Sequence, residues 1–366
     1  MPQLEVFTIF NVVRIFAVAT VAFFVTLFIT PLWTKILYKY KLGKPIKTAT
    51  AFKTLHTEGG PIAAKLHQHK DGTPTMGGVV IWVTVSLLTI GYWLLAKIYP
   101  DTALGSINFL SRGQTWVPFT ALIIAALFGL LDDMLGVLRK GPGGGGLRMR
   151  DRLIMYAVVG AGGAWWFYTK LGWDFINIPF LGDWTIGWLY IPFFIFIIIA
   201  SAFSANETDG LDGLVAGVFL TMFGAYAVIA FDQGRMDLVV FLAAIMGSLI
   251  AFLCFNIYPA KFFMGDTGSM SLGITLGVVA MLTNTPFLLI PIGIIFIFES
   301  GSVIIQLASK KLRGKKIFLS TPVHHHFEAL GWPETQVTMR FWMISAVGAI
   351  IGLIIFLVDS KIPPLF

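Results

Sequence analysis

The 366-residue sequence has one cysteine, Cys254, and charged residues make up only 12% of it. A lone cysteine excludes an internal disulfide and a cysteine-built zinc site. Its position beside Phe252, Leu253 and Phe255 predicts buried packing. A soluble domain averages about 25% charged residues, so the shortage of charge excludes an ordinary soluble enzyme. The glycine run Gly141-Pro-Gly-Gly-Gly-Gly146 lacks the Lys-Ser/Thr ending of a phosphate-binding P-loop and reads as a flexible joint. A strong internal repeat is also missing, which argues against an inverted-repeat transporter.

What the sequence has is hydrophobic length: 57% of it is apolar, with a mean hydropathy of +0.82. A spanning helix needs roughly 20 mostly apolar residues. Ten segments qualify, at about 10–33, 76–97, 116–132, 153–170, 187–205, 213–231, 238–257, 269–285, 287–308 and 341–359. The expected fold class is all-α: one polytopic integral membrane domain over residues 1–366 with about ten transmembrane helices. The first span is expected to be retained, because its apolar core is long and no small-residue cleavage site follows it. The outward segment 171–186 alternates bulky residues with Gly and Asp and predicts a small hairpin.

Charge sets the expected orientation. The loops 34–75, 132–152, 256–268 and 309–340 carry 20 of the 26 Lys and Arg. The others, Arg14, Lys97, Arg112, Lys170, Arg235 and Lys361, lie near the opposite span ends. The positive-inside rule makes these loops, together with 204–212, cytoplasmic and places both termini outside. The net charge of +7 then reflects topology and anionic lipid headgroups, and no nucleic-acid partner is implied.

The polar motifs all fall at that same predicted face. Asp132 and Asp133 end an apolar run, where two acids oppose the helix dipole and call for a cation or a basic loop. Asn206, Asp209, Gly210, Leu211 and Asp212 combine acids with turn-forming glycine, suiting a sugar, a base or a metal shell; capping of the next helix explains only one of the acids. Asp266, between Gly265 and Thr267-Gly268, offers a hard oxygen ligand for Mg²⁺, and Asn256 is placed to approach the same site. His324, His325 and His326 diverge by about 100° each on a helix, so a single metal cannot take all three. Zinc would need a further His, Cys or acid, and phosphate or substrate hydrogen bonding is the favoured reading. Lys70 and Thr75 add a point charge and turn donors, and Arg148, Arg150 and Arg152 form a basic cluster. The deeper span segments look nearly free of charge, which disfavours a transporter path.

Taken in order, Lys70-Asp-Gly-Thr-Pro-Thr-Met-Gly-Gly78, Asp132-Asp133, Thr208-Asp-Gly-Leu-Asp-Gly213, Asn256 through Ser269 and Ser320-Thr-Pro-Val-His-His-His-Phe-Glu328 resemble the phospho-N-acetylmuramoyl-pentapeptide translocase family. That family lies within the polyprenyl-phosphate N-acetylhexosamine-1-phosphate transferases, and the similarity runs from about residue 30 onward. The resemblance implies transfer of phospho-MurNAc-pentapeptide from UDP-MurNAc-pentapeptide to undecaprenyl phosphate, giving lipid I and UMP with Mg²⁺, at the bacterial cytoplasmic membrane. It implies Asp266 as the Mg²⁺ ligand, Asp132 as acceptor of the lipid-phosphate proton, and Asp133 completing the acidic centre. Asn206, Asp209, Gly210, Leu211 and Asp212 would line a uridine pocket, with Phe263 stacked on uracil. Lys70, Thr75, Asn256 and the three histidines would complete the phosphate and sugar region, and Arg150 and Arg152 match a basic pair. Glu207 and Phe203 depart from the family pattern, which usually has an apolar residue and an Asn there. A GlcNAc-phosphate relative and a homodimer remain open alternatives.

Overall fold

The computed structural model describes residues 2–43, 67, 70, 72–102, 105–141 and 145–360, with side chains from residue 9 onward. Most of the expected loop 34–75, residues 142–144 of the glycine joint, and Lys361 lie outside the described residues. Among the described residues twelve α-helices follow in order: α1 (Pro2–Lys39), α2 (Val79–Ile98), α3 (Trp116–Val137), α4 (Met149–Lys170), α5 (Tyr190–Thr208), α6 (Leu214–Asp232), α7 (Met236–Asn256), α8 (Asp266–Leu282), α9 (Leu289–Ile292), α10 (Ile294–Arg313), α11 (Val323–Ala329) and α12 (Glu334–Asp359). A helix covers each of the ten apolar segments. Between α4 and α5, β1 (Phe175–Ile178) pairs antiparallel with β2 (Gly182–Thr185), Phe175 opposite Thr185 and Ile178 opposite Gly182. This hairpin falls in the segment expected to form one. It is the only sheet among the described residues of a fold that is otherwise helical.

Seven of these helices are long and apolar enough to cross a membrane; the pair Pro286–Ile292 and Ile294–Arg313, bent by 86°, makes an eighth if it is one span. The other two expected segments miss for physical reasons. Helix α4 starts Met149-Arg150-Asp151-Arg152, and its remaining stretch is diluted by Gly160, Gly162, Gly163, Tyr156, Tyr168 and Lys170, while α8 has only 17 residues, about 25 Å at 1.5 Å per residue. Every residue of α8 is buried, because it is wrapped by α3 and α5 and touched by α2, α4 and α6. It has no polar solvent to face and needs no amphipathic pattern.

The outer helices show the reverse of soluble patterning. Helix α10 buries Glu299, Ser302, Gln306 and Ser309 while exposing Ile304, Ile305, Leu307 and Leu312. A water-facing helix turns its polar stripe outward; here the apolar stripe faces out, as lipid requires. Exposed Phe16, Phe24 and Phe28 on α1, and Met343, Val347 and Ile350 on α12, continue the apolar surface. Cys254 is exposed on α7, correcting its expected burial; lipid is as apolar a surrounding as the core, so the sequence environment could not separate the two. Glu299 corrects the expected absence of charge from the deeper spans: it is fully buried in α10.

Close helix contact depends on particular glycines. A Cβ on Gly247 of α7 would lie 2.1 Å from the Ala19 carbonyl oxygen of α1, a distance that no relaxed pair of atoms adopts. Gly224, by contrast, has only a flexible Met246 methyl in ordinary contact. Gly247→Ala should therefore push α1 off α7 and cost about 1–3 kcal/mol. Gly224→Ala should be neutral or gain up to about 1 kcal/mol from helix propensity. Unfolding of both variants in detergent checks the contrast, and equal stability would refute the close-packing argument.

Candidate active site

The site is organised around the N-terminus of α8. Gly265, the residue before the helix, has φ +74°, and a Cβ there would strike Asp133 Oδ2 and Thr75 Oγ1, each at 2.6 Å. The first helical N–H groups have no partner within α8. Asp133, from the end of α3, supplies one: its Oδ1 accepts from the Asp266 N–H at 3.1 Å, and its Oδ2 accepts from the Thr267 N–H at 3.0 Å. Asp133 is thus a cap delivered from another helix, one residue from Asp132 of the expected acidic centre. The α3–α8 contact that allows this is tight, since a Cβ on Gly129 would meet the Asp266 carbonyl oxygen at 2.3 Å.

Arg152 holds the other acids together. Its Nε donates to Asp132 Oδ2 at 2.6 Å, Nη1 donates to Asn206 Oδ1 at 2.9 Å, and Nη2 lies 3.5 Å from Asp266 Oδ2. Asp132 Oδ1 accepts from the Leu147 N–H, and Asn206 Nδ2 donates to Asp266 Oδ1. Asp132 is fully buried and Asp266 nearly so. Two buried carboxylates are tolerated in one place only when a positive charge sits with them. Hard carboxylate and amide oxygens in this arrangement fit Mg²⁺, with Asp266 as the group that would hold it. Arg150, its expected partner, is exposed at the start of α4 and makes no hydrogen bond or ion pair to a described residue. Two residues apart, about half a helical turn, the side chains of Arg150 and Arg152 leave opposite faces of α4, and Arg152 is the one that points inward.

A second cluster lies beside the first. Main-chain bonds from Gly77 N–H to the Phe263 carbonyl, Gly78 N–H to the Met264 carbonyl and Phe263 N–H to the Pro74 carbonyl zip segment 74–78 against 263–264. This sets Thr75 near Gly265, and places Lys70 Nζ 5.6 Å from the ring centre of half-buried Phe263. Lys70 also donates to Asp212 Oδ1 at 2.6 Å and to Glu334 of α12. Asp212 Oδ2 accepts from the Ala260 N–H, and its own N–H donates to Glu334 Oε1. Asp212 is therefore occupied in bracing the loops, with Leu211 buried next to it. Asp209 ends α5 and accepts from the Gly265 N–H at 3.1 Å. Asn256 braces two loops: its Oδ1 accepts from the Gly213 N–H and its Nδ2 donates to the Phe262 carbonyl.

The three histidines diverge, as their spacing on α11 requires. His324 lies over exposed Gly210, whose added Cβ would come 2.2 Å from Nε2, while its Nδ1 pairs with Glu299 at 3.0 Å. His325 Nδ1 donates to Glu328 Oε2 at 2.8 Å, and His67 Nε2 donates to the same oxygen at 3.0 Å. His326 Nδ1 accepts from the Leu319 N–H. Only His324 is thus seen against the 206–213 segment. Burial lowers His325 to about 4, with His324 adding to the effect and Glu328 opposing it, so its imidazole is neutral at pH 7. Burial alone would raise the Glu328 carboxyl, but the bonds from His325 and His67 outweigh it and leave Glu328 below the ordinary range.

The profile of Glycosyl transferase family 4 matches residues 115–284, and phospho-N-acetylmuramoyl-pentapeptide-transferase signature 1 matches residues 70–81. The chain is 38% identical over 338 residues to the phospho-N-acetylmuramoyl-pentapeptide-transferase of Geobacillus thermodenitrificans, covering 92% of this chain and 95% of that one. It belongs to the phospho-N-acetylmuramoyl-pentapeptide-transferase family. The transferases of Geobacillus kaustophilus (37% identical; 92% of this chain, 95% of that one) and Listeria welshimeri (38%; 91% and 95%) are similar to it over comparable lengths.

Against the family pattern, the departure Glu207 is 3% exposed within α5, and Phe203 is half-buried. Glu299 and Glu334 are members of the site region that the sequence reading missed. A glutamate inside the apolar run of α10 was a readable signal for the first; Glu334 in the first turn of α12 looks like an ordinary dipole partner. Replacing Asp133 with Ala should cost about 1–3 kcal/mol, because two buried N–H groups lose their acceptor. Asp266→Asn should change stability less while preserving shape. Thermal unfolding of the two variants in detergent distinguishes them, and an undisturbed Asp133→Ala would remove the capping role.

Proposed function

We propose that the protein transfers phospho-MurNAc-pentapeptide from UDP-MurNAc-pentapeptide to undecaprenyl phosphate, giving lipid I and UMP in the first membrane step of peptidoglycan synthesis. The supporting observation is the convergence of Asp132, Arg152, Asn206 and Asp266 at the N-terminus of buried α8, in a chain 38% identical to a named transferase. A helix N-terminus favours a diphosphate, and an arginine fork matches phosphate oxygens. Asp266 would hold Mg²⁺, whose chemistry when bound is to neutralise charge on the phosphates.

The remaining work falls to this chain's residues. Phosphoryl transfer asks mainly for positioning and charge stabilisation. An oxygen of the lipid phosphate attacks the phosphorus that bears the sugar, and the bond to UMP breaks. That phosphate is largely dianionic at pH 7, its second pKa being about 6, so no strong base is needed. Asp132, with one oxygen on Leu147 N–H and the other on Arg152, then acts by holding Arg152 in place. Phe263 offers its face to uracil beside Lys70, and Asp209 and Gly210 lie at the neighbouring edge. The site end of the bundle is the cytoplasmic end by its basic loops, with both termini outside, in a bacterial cytoplasmic membrane.

Detergent-purified protein given undecaprenyl phosphate should release UMP with UDP-MurNAc-pentapeptide and not with UDP-GlcNAc. The opposite preference would overturn the substrate assignment. Asp266→Asn should lower turnover by about 10²–10³-fold; near-normal Mg²⁺-dependent activity would remove it from the site. Phe263→Ala should raise KM for the nucleotide substrate: base–aromatic stacking is worth about 1–3 kcal/mol, or roughly 5- to 150-fold. An effect confined to the lipid substrate would sink the uridine assignment. For orientation, cysteines placed at Lys315 and at Leu181 in a Cys254→Ala background should be labelled from the cytoplasm and from outside respectively.

A further inference from the structure

We propose that His67 Nε2, His325 Nδ1 and Glu328 Oε2 form a transition-metal site, best suited to zinc and built from residues separate from the acidic centre at Asp266. The three donor atoms all lie within 4.8 Å of one another. Two imidazole nitrogens approach a single carboxylate oxygen, at 3.0 and 2.8 Å. Ligands about 2.0–2.1 Å from a tetrahedral zinc stand roughly 3.3 Å apart, so the two histidine–carboxylate pairs would open by a few tenths of an ångström and the two imidazole nitrogens, within 4.8 Å of each other, would come to the same spacing. His325 and Glu328 are buried and His67 is nearly so, which keeps competing water low.

The donor chemistry separates this site from the acidic one. Two imidazoles and one carboxylate are a zinc set with a fourth position left for water, whereas Mg²⁺ prefers oxygen ligands alone. One His of the triple run takes part and its neighbours point elsewhere, so the divergence that bars a three-histidine site does not apply. To ligate, each imidazole turns the lone pair of the named nitrogen on the metal and carries its proton on the other ring nitrogen. Glu328 is already anionic and loses two hydrogen bonds in exchange. His67 comes from the segment leading to Lys70, whereas His325 and Glu328 sit on α11. A metal here therefore fastens the approach of Lys70 to a helix that also carries His324.

The full chain, purified in detergent through a tag without histidine and stripped with a chelator, is titrated with Co²⁺ and then Zn²⁺. Expected are visible absorption bands of a four-coordinate Co²⁺ centre, their loss on adding Zn²⁺, and one zinc retained per chain at micromolar free zinc. His67→Gln, His325→Ala and Glu328→Gln should each weaken binding at least about tenfold. Zinc should raise the unfolding temperature of the unmodified chain and not of His67→Gln. Asp266→Asn should bind zinc normally. An unmodified chain that retains no zinc and gives no Co²⁺ bands would overturn the site, whatever the variants do. Equal affinity in all three ligand variants would overturn it as well, since the metal would then lie elsewhere.

Discussion

The backbone N–H groups that open α8 must be satisfied inside protein, because the helix is buried along its whole length and lipid offers no acceptor. Asp133 meets that requirement from α3. The constraint fixes more than a cap. It locks the register between α3 and α8, and so sets where Asp132, one residue earlier, and Asp266, the first residue of α8, face each other. Gly129 and Gly265 are the places where any side chain would spoil this approach. The buried carboxylates are thus placed by packing, and the adjacent pair Asp132-Asp133 divides, Asp133 toward the α8 backbone and Asp132 toward Arg152.

Charge is handled by bridging. Arg152 serves Asp132, Asn206 and Asp266, and Lys70 serves Asp212 and Glu334. Buried ion pairs of this kind add little net stability against apolar replacements, but losing one partner leaves a costly unpaired charge. They are better understood as specifying a single arrangement of six separate chain segments. A cation centred on two carboxylates also explains why an anionic substrate can approach them: the acids are screened, and the helix N-terminus and the guanidinium together present positive potential.

Membrane setting inverts the usual patterning rules. Helix α10 hides Glu299, Gln306 and Ser309 and shows Ile304 and Leu312 outward, and its buried acid orients His324 over Gly210. Exposed Cys254 follows from the same inversion. Reading burial from local hydrophobicity succeeds in water because apolar means inside; with lipid outside, that inference has no direction.

The order of elements was legible in the sequence, because roughly 20-residue apolar runs and the breaks between them are local properties. The motifs were legible too, since Asp132, Asn206, Asp266 and the histidines are conspicuous against so apolar a background. Their division of labour was not. Arg150 and Arg152 look equivalent on paper, yet a helix turns them to different faces, and only the α4–α5 and α3–α8 contacts decide which one meets the acids. Asn256 and Asp212 carry ligand-like side chains, but the loops they brace come from distant parts of the chain. Glu334 and His67 acquire meaning only from Lys70 and Glu328, brought to them across more than 200 residues. Sequence determined which groups exist and how each segment would fold, since both follow from neighbours along the chain. Tertiary structure decided which groups meet, because hydrogen bonds and charge pairs act over a few ångströms of space regardless of separation in sequence.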